Sequence, residues 1–218
     1  MDRRLVRRLN IFLLTFFALS LFFYLVMNGG AYWRVLRYHL FLRSPWASDE
    51  LTIGDILRVS AGATASDQAI AEGGYILSIP KISVSVPIAV PNGDSKQDIL
   101  ASLEEGVGLY PGSIQPGAIG RTVLLGHSSR ASWYRGEYAT IFALLHQLEV
   151  GDTFIIAGGG KKYQYEVAVR RTLSPADTNA LFATAPAESE AVLVTCYPVG
   201  SASQRTVIQG RLVATEDI

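Results

Sequence analysis

The chain contains a single cysteine, Cys196, in 218 residues, so no disulfide can form within it. Histidine is nearly as scarce, with only His39, His127 and His146. No group of acidic residues has the spacing of a calcium loop, and no cofactor or metal is expected. No internal repeat is visible, and the C-terminal end carries no apolar run long enough to span a bilayer. Net charge is absent as well, at 19 basic against 19 acidic residues, but that balance hides a split. Up to residue 43 the seven basic residues are all arginine and only Asp2 opposes them, which leaves 12 basic and 18 acidic residues beyond. An acidic body with a basic end is not the electrostatic footprint of a nucleic-acid binder.

What the chain does have is one long apolar run near its start. Residues 11–27, IFLLTFFALSLFFYLVM, carry no charge, and Thr15 and Ser20 are their only polar side chains. At about 1.5 Å per residue the run reaches roughly 25 Å, the lower limit for a spanning helix. It exceeds the apolar core of a cleaved signal peptide, and NGGAYW after it is a weak cleavage site. An uncleaved anchor is the expectation. Arg3, Arg4, Arg7 and Arg8 precede the run and hold the N-terminus in the cytoplasm, which places the rest outside in a single-pass topology. The following AYWRVLRYHLFLR suits either a helix lying in the interface or a continuation of the anchor, with His39 packed there.

Three regions follow: residues 1–30 as basic tail and anchor, 31–74 as interfacial segment and linker, and 75–218 as the exported domain. The linker is rich in Ser, Ala, Gly and Asp, with a short helix expected near Ile53 to Val59. Beyond it, YILSIPKISVSVPIAV alternates apolar and polar residues and is broken by Pro80 and Pro87, as in two edge-type strands. SKQDILASLEEG reads as a short helix with Ser95 as N-cap and Gly106 as stop. YATIFALLHQLEVGD reads as a second, with Ile141, Phe142, Leu145 and Leu148 on one face and His146 exposed on its flank. RTVLLGH, TFIIAGG, KKYQYEVAVRRTL, AVLVTCYP and RTVIQGRLVATE supply further strands. Many short strands with few helices predict a mainly β domain, a barrel or sandwich of mixed topology.

Two of these strands end on reactive side chains, His127 and Cys196, and a rigid sheet end is where such groups tend to serve function. Arg205 opens the strand after a loop that starts at Tyr197. An antiparallel closure of that loop makes Arg205 a neighbour of Cys196. Arg211, six residues further, lies roughly 20 Å away at about 3.3 Å each and ranks behind it. A thiol is mostly protonated at neutral pH, so a nucleophilic cysteine gains from a nearby cation and base. His127 suits proton transfer, and a fixed guanidinium suits an oxyanion. The alternatives at this point are a buried structural cysteine, a loop-capping histidine and a surface arginine. An unpaired thiol outside the cell weighs against the first.

Several motifs together resemble the sortases, membrane-anchored cysteine transpeptidases of bacterial surfaces. VLVTCYP resembles their T-L-x-T-C signature and LLGHSS their strand-end Gly-His, while Arg205 falls where the family carries its arginine. LSIPKISVSVPI, GVGLYPGSIQPG, FALLHQLEVGD and KKYQYEV match in the same order, over about residues 76–213. The resemblance implies a closed eight-stranded β barrel with short helices, preceded by a transmembrane helix. It implies Cys196 as nucleophile, His127 as general acid/base, Arg205 as oxyanion stabiliser and Thr195 on the substrate groove. The implied partners are proteins with a C-terminal LPXTG-like sorting signal and an amine acceptor, either a peptidoglycan precursor or a pilin lysine.

The sequence departs from the pattern in three places. Val192 replaces the first threonine, Leu109 stands where histidine is common, and SSRASWYRGEYAT extends the segment after His127. Trp133 and Tyr134 there suit loop packing or a lid. The competing readings are another cysteine peptidase or L,D-transpeptidase, whose histidine-rich signature is missing, and a non-catalytic tethered barrel for adhesion or sensing.

Overall fold

The structure is a computed structural model and describes residues 3–37, 74–129 and 136–218. Helix α1 runs unbroken over Arg3–Arg37. Its stretch Val6–Val26 has mean hydropathy 2.3 and none of it is buried, and it is the one helix among the described residues long and apolar enough to cross a membrane. Thr15, a polar side chain in mid-stretch, donates its hydroxyl to the Ile11 and Phe12 carbonyls, so its own donor is not left bare on an apolar surface. The segment from residue 31 to Arg37 thus continues the helix. His39, the linker, its expected short helix, and Trp133 and Tyr134 lie outside the described residues.

Eight strands follow: β1 (Tyr75–Ile79), β2 (Val84–Ala89), β3 (Val107–Leu109), β4 (Gly120–Leu125), β5 (Thr153–Gly158), β6 (Lys161–Leu173), β7 (Ser189–Tyr197) and β8 (Gln204–Asp217). They close into a barrel in the order β1-β2-β3-β4-β7-β8-β6-β5, with β5 pairing back onto β1. The β2–β3 and β4–β7 pairs are parallel and the others antiparallel. Closure corrects the edge-strand reading of residues 75–90, because a barrel has no free edge. Pro87 is accommodated because the β2–β3 ladder covers only Ile88 and Ala89, one residue beyond it.

Helix α2 (Lys96–Ser102) forms where the sequence marks it, with the Ser95 hydroxyl accepting from Asp98 N–H. The expected helix at YATIFALLHQLEVGD is instead a series of turns ending in one 3-10 turn, Leu145–Gln147. Ile141, Phe142, Ala143, Leu144, Leu145 and Leu148 are all buried there, so the segment plugs the barrel and has no polar face to expose. Helix α3 (Pro175–Phe182) is an addition to the expected elements. Ser174 caps it through Asp177 N–H, and Pro175 opens its first turn. Arg121 holds its other end, donating from Nη1 to the Leu181 and Thr184 carbonyls and from Nε to Glu190 at 2.6 Å.

Two apolar clusters result. The barrel lumen holds Leu77, Val86, Leu124, Phe154, Ile156, Tyr165, Leu193 and Ile208. The second cluster lies on the opposite, outer face of β4, β7 and β8: Val123, Val192, Val194 and Val207, with Leu181 and Phe182 of α3 packed over it. Strand β7 is therefore covered on both faces, and Ala191 to Thr195 are buried without a break.

Candidate active site

The parallel β4–β7 ladder pairs Leu124 with Leu193 and Leu125 with Val194. Two further bonds carry it past the strand end: Gly126 N–H to the Val194 carbonyl at 3.1 Å, and the Thr195 hydroxyl to the Gly126 carbonyl at 2.7 Å. The next step in that register sets His127 beside Cys196. On the other flank Cys196 and Arg205 are direct Cα partners in the β7–β8 pair, and Arg205 in turn faces Leu173 of β6. His127, Cys196, Arg205 and Leu173 thus form one row across four strands. Neighbouring strands lie about 4.8 Å apart, so the backbone positions of His127 and Arg205 flank that of Cys196 from either side.

Alternation decides which face the row occupies. Leu193 and Ile208 point into the lumen, whereas Val194 and Val207 belong to the outer cluster. Cys196 and Arg205, two residues on from those valines, share the outer face. Thr195 points the other way and is 5% exposed, so its hydroxyl anchors the strand end from beneath.

Cys196, His127 and Arg205 are each half-buried. Gly126 makes room for this arrangement, because a Cβ there would lie 2.4 Å from the Phe142 ring. Phe142 in turn donates its N–H to the His127 carbonyl at 2.9 Å, which ties the barrel plug to the histidine. Arg205 Nη1 donates to the Ala202 and Gln204 carbonyls, both at 2.9 Å, and so fixes the guanidinium to its own loop. Its Nε and Nη2 make no hydrogen bond among the described residues. Arg211 is far down β8, paired to Glu166 at 3.3 Å. His146 is half-buried against the Tyr197 ring, with centroids 6.1 Å apart, where solvent exposure was expected. No group of three or more His, Cys, Asp or Glu residues able to hold a metal occurs among the described residues.

Two elements of the site go beyond those expected from the sequence. Helix α3 walls the outer cluster, and the Ser129 hydroxyl accepts from Gly200 N–H at 2.9 Å, joining the loops on either side of Cys196. Ser174-Pro175 and Asp177 are a legible signal for the first; nothing local in the sequence signals the second.

Fold and row together define a closed β barrel with one thiol at a strand end between a histidine and an arginine. The family model of the sortase domain matches residues 77–213, and the chain belongs to the sortase family, hence to the cysteine transpeptidases. Among solved structures it is similar to the sortase D5 transpeptidase of Clostridium perfringens, at 26% identity and TM-score 0.52 over 65% of this chain and 79% of that one. It is similar to sortase C-1 of Actinomyces oris, at 28% identity and TM-score 0.54 over 72% and 84%. Sortase A of Corynebacterium diphtheriae matches at 26% identity and TM-score 0.55 over 77% and 72%. No curated protein matches the chain.

Proposed function

We propose that the protein is a membrane-anchored transpeptidase that cleaves an LPXTG-like sorting signal and transfers the acyl part to an amine at the cell surface. The observation that carries this reading is the Cα pairing of Cys196 with Arg205, with the His127-bearing end of β4 on the other flank. The Cys196 thiolate attacks the threonine carbonyl of the signal, and Arg205 donates to the oxyanion that forms. As the C–N bond breaks, His127 gives its proton to the departing amine and a thioester remains on Sγ. The acceptor amine then attacks the thioester carbonyl, His127 takes its proton, and the thiolate leaves. Acceptors with the required chemistry are a peptidoglycan precursor or a pilin lysine. Thr195, below the row, fixes the floor on which the signal lies. The uniformly exposed apolar stretch of α1 supports a single-pass anchor with a cytoplasmic N-terminus.

The test uses the full-length chain in detergent with a fluorogenic LPXTG peptide and an added amine. Mass spectrometry should find the acyl group on Cys196, and Cys196→Ala should abolish it. His127→Ala and Arg205→Ala should each lower transfer by about 10²-fold or more, with unchanged circular dichroism. Full transfer by any of the three variants removes that residue from the mechanism. Full cellular function in Cys196→Ala would make the barrel a binding module.

A further inference from the structure

We propose that Ser129 is a positioning residue for acyl transfer, tying the His127 loop to the loop that holds the Arg205 guanidinium and so fixing imidazole and guanidinium across Cys196. The proposal rests on the transpeptidase reading above and adds a residue that the three-membered row does not include.

The need for such a tie follows from where the ladder stops. His127 lies two residues beyond the end of β4; bonds at Gly126 hold the residue before it to β7, and Phe142 N–H holds the His127 carbonyl. Arg205 is the second residue of β8, and its guanidinium is bound to the loop that leaves Cys196. That loop is braced within itself: Ser201 N–H donates to the Pro198 carbonyl at 2.9 Å, and Ser203 N–H to the Ser201 hydroxyl at 3.2 Å. The Ser203 hydroxyl reaches the Tyr197 carbonyl at 3.4 Å, and Arg205 Nη1 holds the Ala202 and Gln204 carbonyls. Loop and guanidinium therefore move as one body, and the bond from Gly200 N–H to Ser129 Oγ fastens that body to the histidine side.

Gly200 is suited to its part. Its φ of 85° lies in the left-handed region, which a glycine adopts without strain. The segment around His127 is consequently held at Gly126 by the residue before Cys196 and at Ser129 by a residue four beyond it. Catalytic groups must be held within roughly 0.5 Å, and a displacement of about 1 Å can cost a factor of about 100 in rate. A single tether between the two flanking loops is therefore expected to affect rate more than stability.

The experiment compares Ser129→Ala and Ser129→Thr, which keeps the hydroxyl, in full-length chain in detergent, with and without His127→Ala. Two quantities are read: kcat and KM with a sorting-signal peptide and an amine, and the second-order rate of Cys196 alkylation by iodoacetamide. Ser129→Ala should lower kcat about tenfold with KM within about twofold, and slow alkylation at neutral pH about threefold. Ser129→Thr should restore both to within about twofold. In the His127→Ala background Ser129→Ala should slow alkylation clearly less than in the wild-type background, because one of the two groups it positions is gone. An unchanged or faster alkylation rate in Ser129→Ala overturns the proposal, as does an equal loss with and without His127. Failure of the wild-type chain to transfer any peptide would sink the transpeptidase reading alone, since the alkylation comparison stands without it.

Discussion

Replacing Thr195 by valine separates two roles for that residue. In the structure its side chain is 5% exposed and its hydroxyl donates to the Gly126 carbonyl at 2.7 Å. Valine has nearly the same shape, so packing is retained and one hydrogen bond is lost. Gly126 is itself buried, and its carbonyl would be left short of a donor. Such a loss costs about 1–3 kcal/mol. In a domain of this size each kcal/mol lowers Tm by about 2–4 °C, so a central value of about 2 kcal/mol predicts a fall of about 4–8 °C.

The same bond extends the β4–β7 register to the residue before His127, so kcat should fall along with Tm while KM stays within about twofold. Thr195→Ser, which keeps the hydroxyl, should lie close to wild type in both. Thermal melting followed by circular dichroism and steady-state kinetics on the detergent-solubilised chain read the two effects separately. A Tm within about 1 °C of wild type together with a severalfold rise in KM would refute the reasoning. It would put the Thr195 side chain in contact with the sorting signal instead of under it.

Gly126→Ala should lower stability and kcat together. The new methyl would meet the fully buried Phe142 ring at 2.4 Å, and overpacking of this kind costs roughly 1–3 kcal/mol. Phe142 also holds the His127 carbonyl, so a wild-type kcat in this variant would argue against that coupling. Tyr165 predicts an alkaline limit. It is buried in the barrel, stacked on Phe154 at 5.4 Å, and burial raises its pKa above the ordinary 10.0. Above about pH 10 the unfolded chain releases a proton that the folded chain keeps, so stability present below that pH is lost as pH rises further. The urea midpoint should therefore drop between about pH 9 and 11, and Tyr165→Phe should flatten the drop. An equal slope in the variant would assign the effect to other groups.

The part of the site on one hairpin was legible in the sequence. Cys196 and Arg205 lie nine positions apart around a single loop, so antiparallel closure alone pairs them. The β4–β7 neighbourhood was not, because those strands pair in parallel across some seventy residues and no local turn chemistry encodes that choice. The resemblance supplied His127's place in the row, and the ladder explains it. The plug segment misled for a physical reason. Ile141, Phe142, Leu145 and Leu148 mimic a helical stripe, yet Ala143 and Leu144 between them are buried as well. Burial on every side removes the polar face that a surface helix requires. Helix α3 escaped notice because only its last two residues, Leu181 and Phe182, cover the outer cluster. A stripe so short carries almost no periodic signal.

The lone cysteine acquires its meaning from where that cover ends. Ala191 to Thr195 are buried without interruption, their lumen side by the core and their outer side by the cluster beneath α3. Cys196 is the next residue and the first of this run to be half-exposed. A thiol one step earlier would be sealed in apolar surroundings, where burial raises its pKa and makes it inert. One step later it would point to the opposite face from Arg205. Access and register therefore coincide at a single position of β7, and a structural cysteine would need neither. That coincidence favours a nucleophile over a filler, independently of any motif.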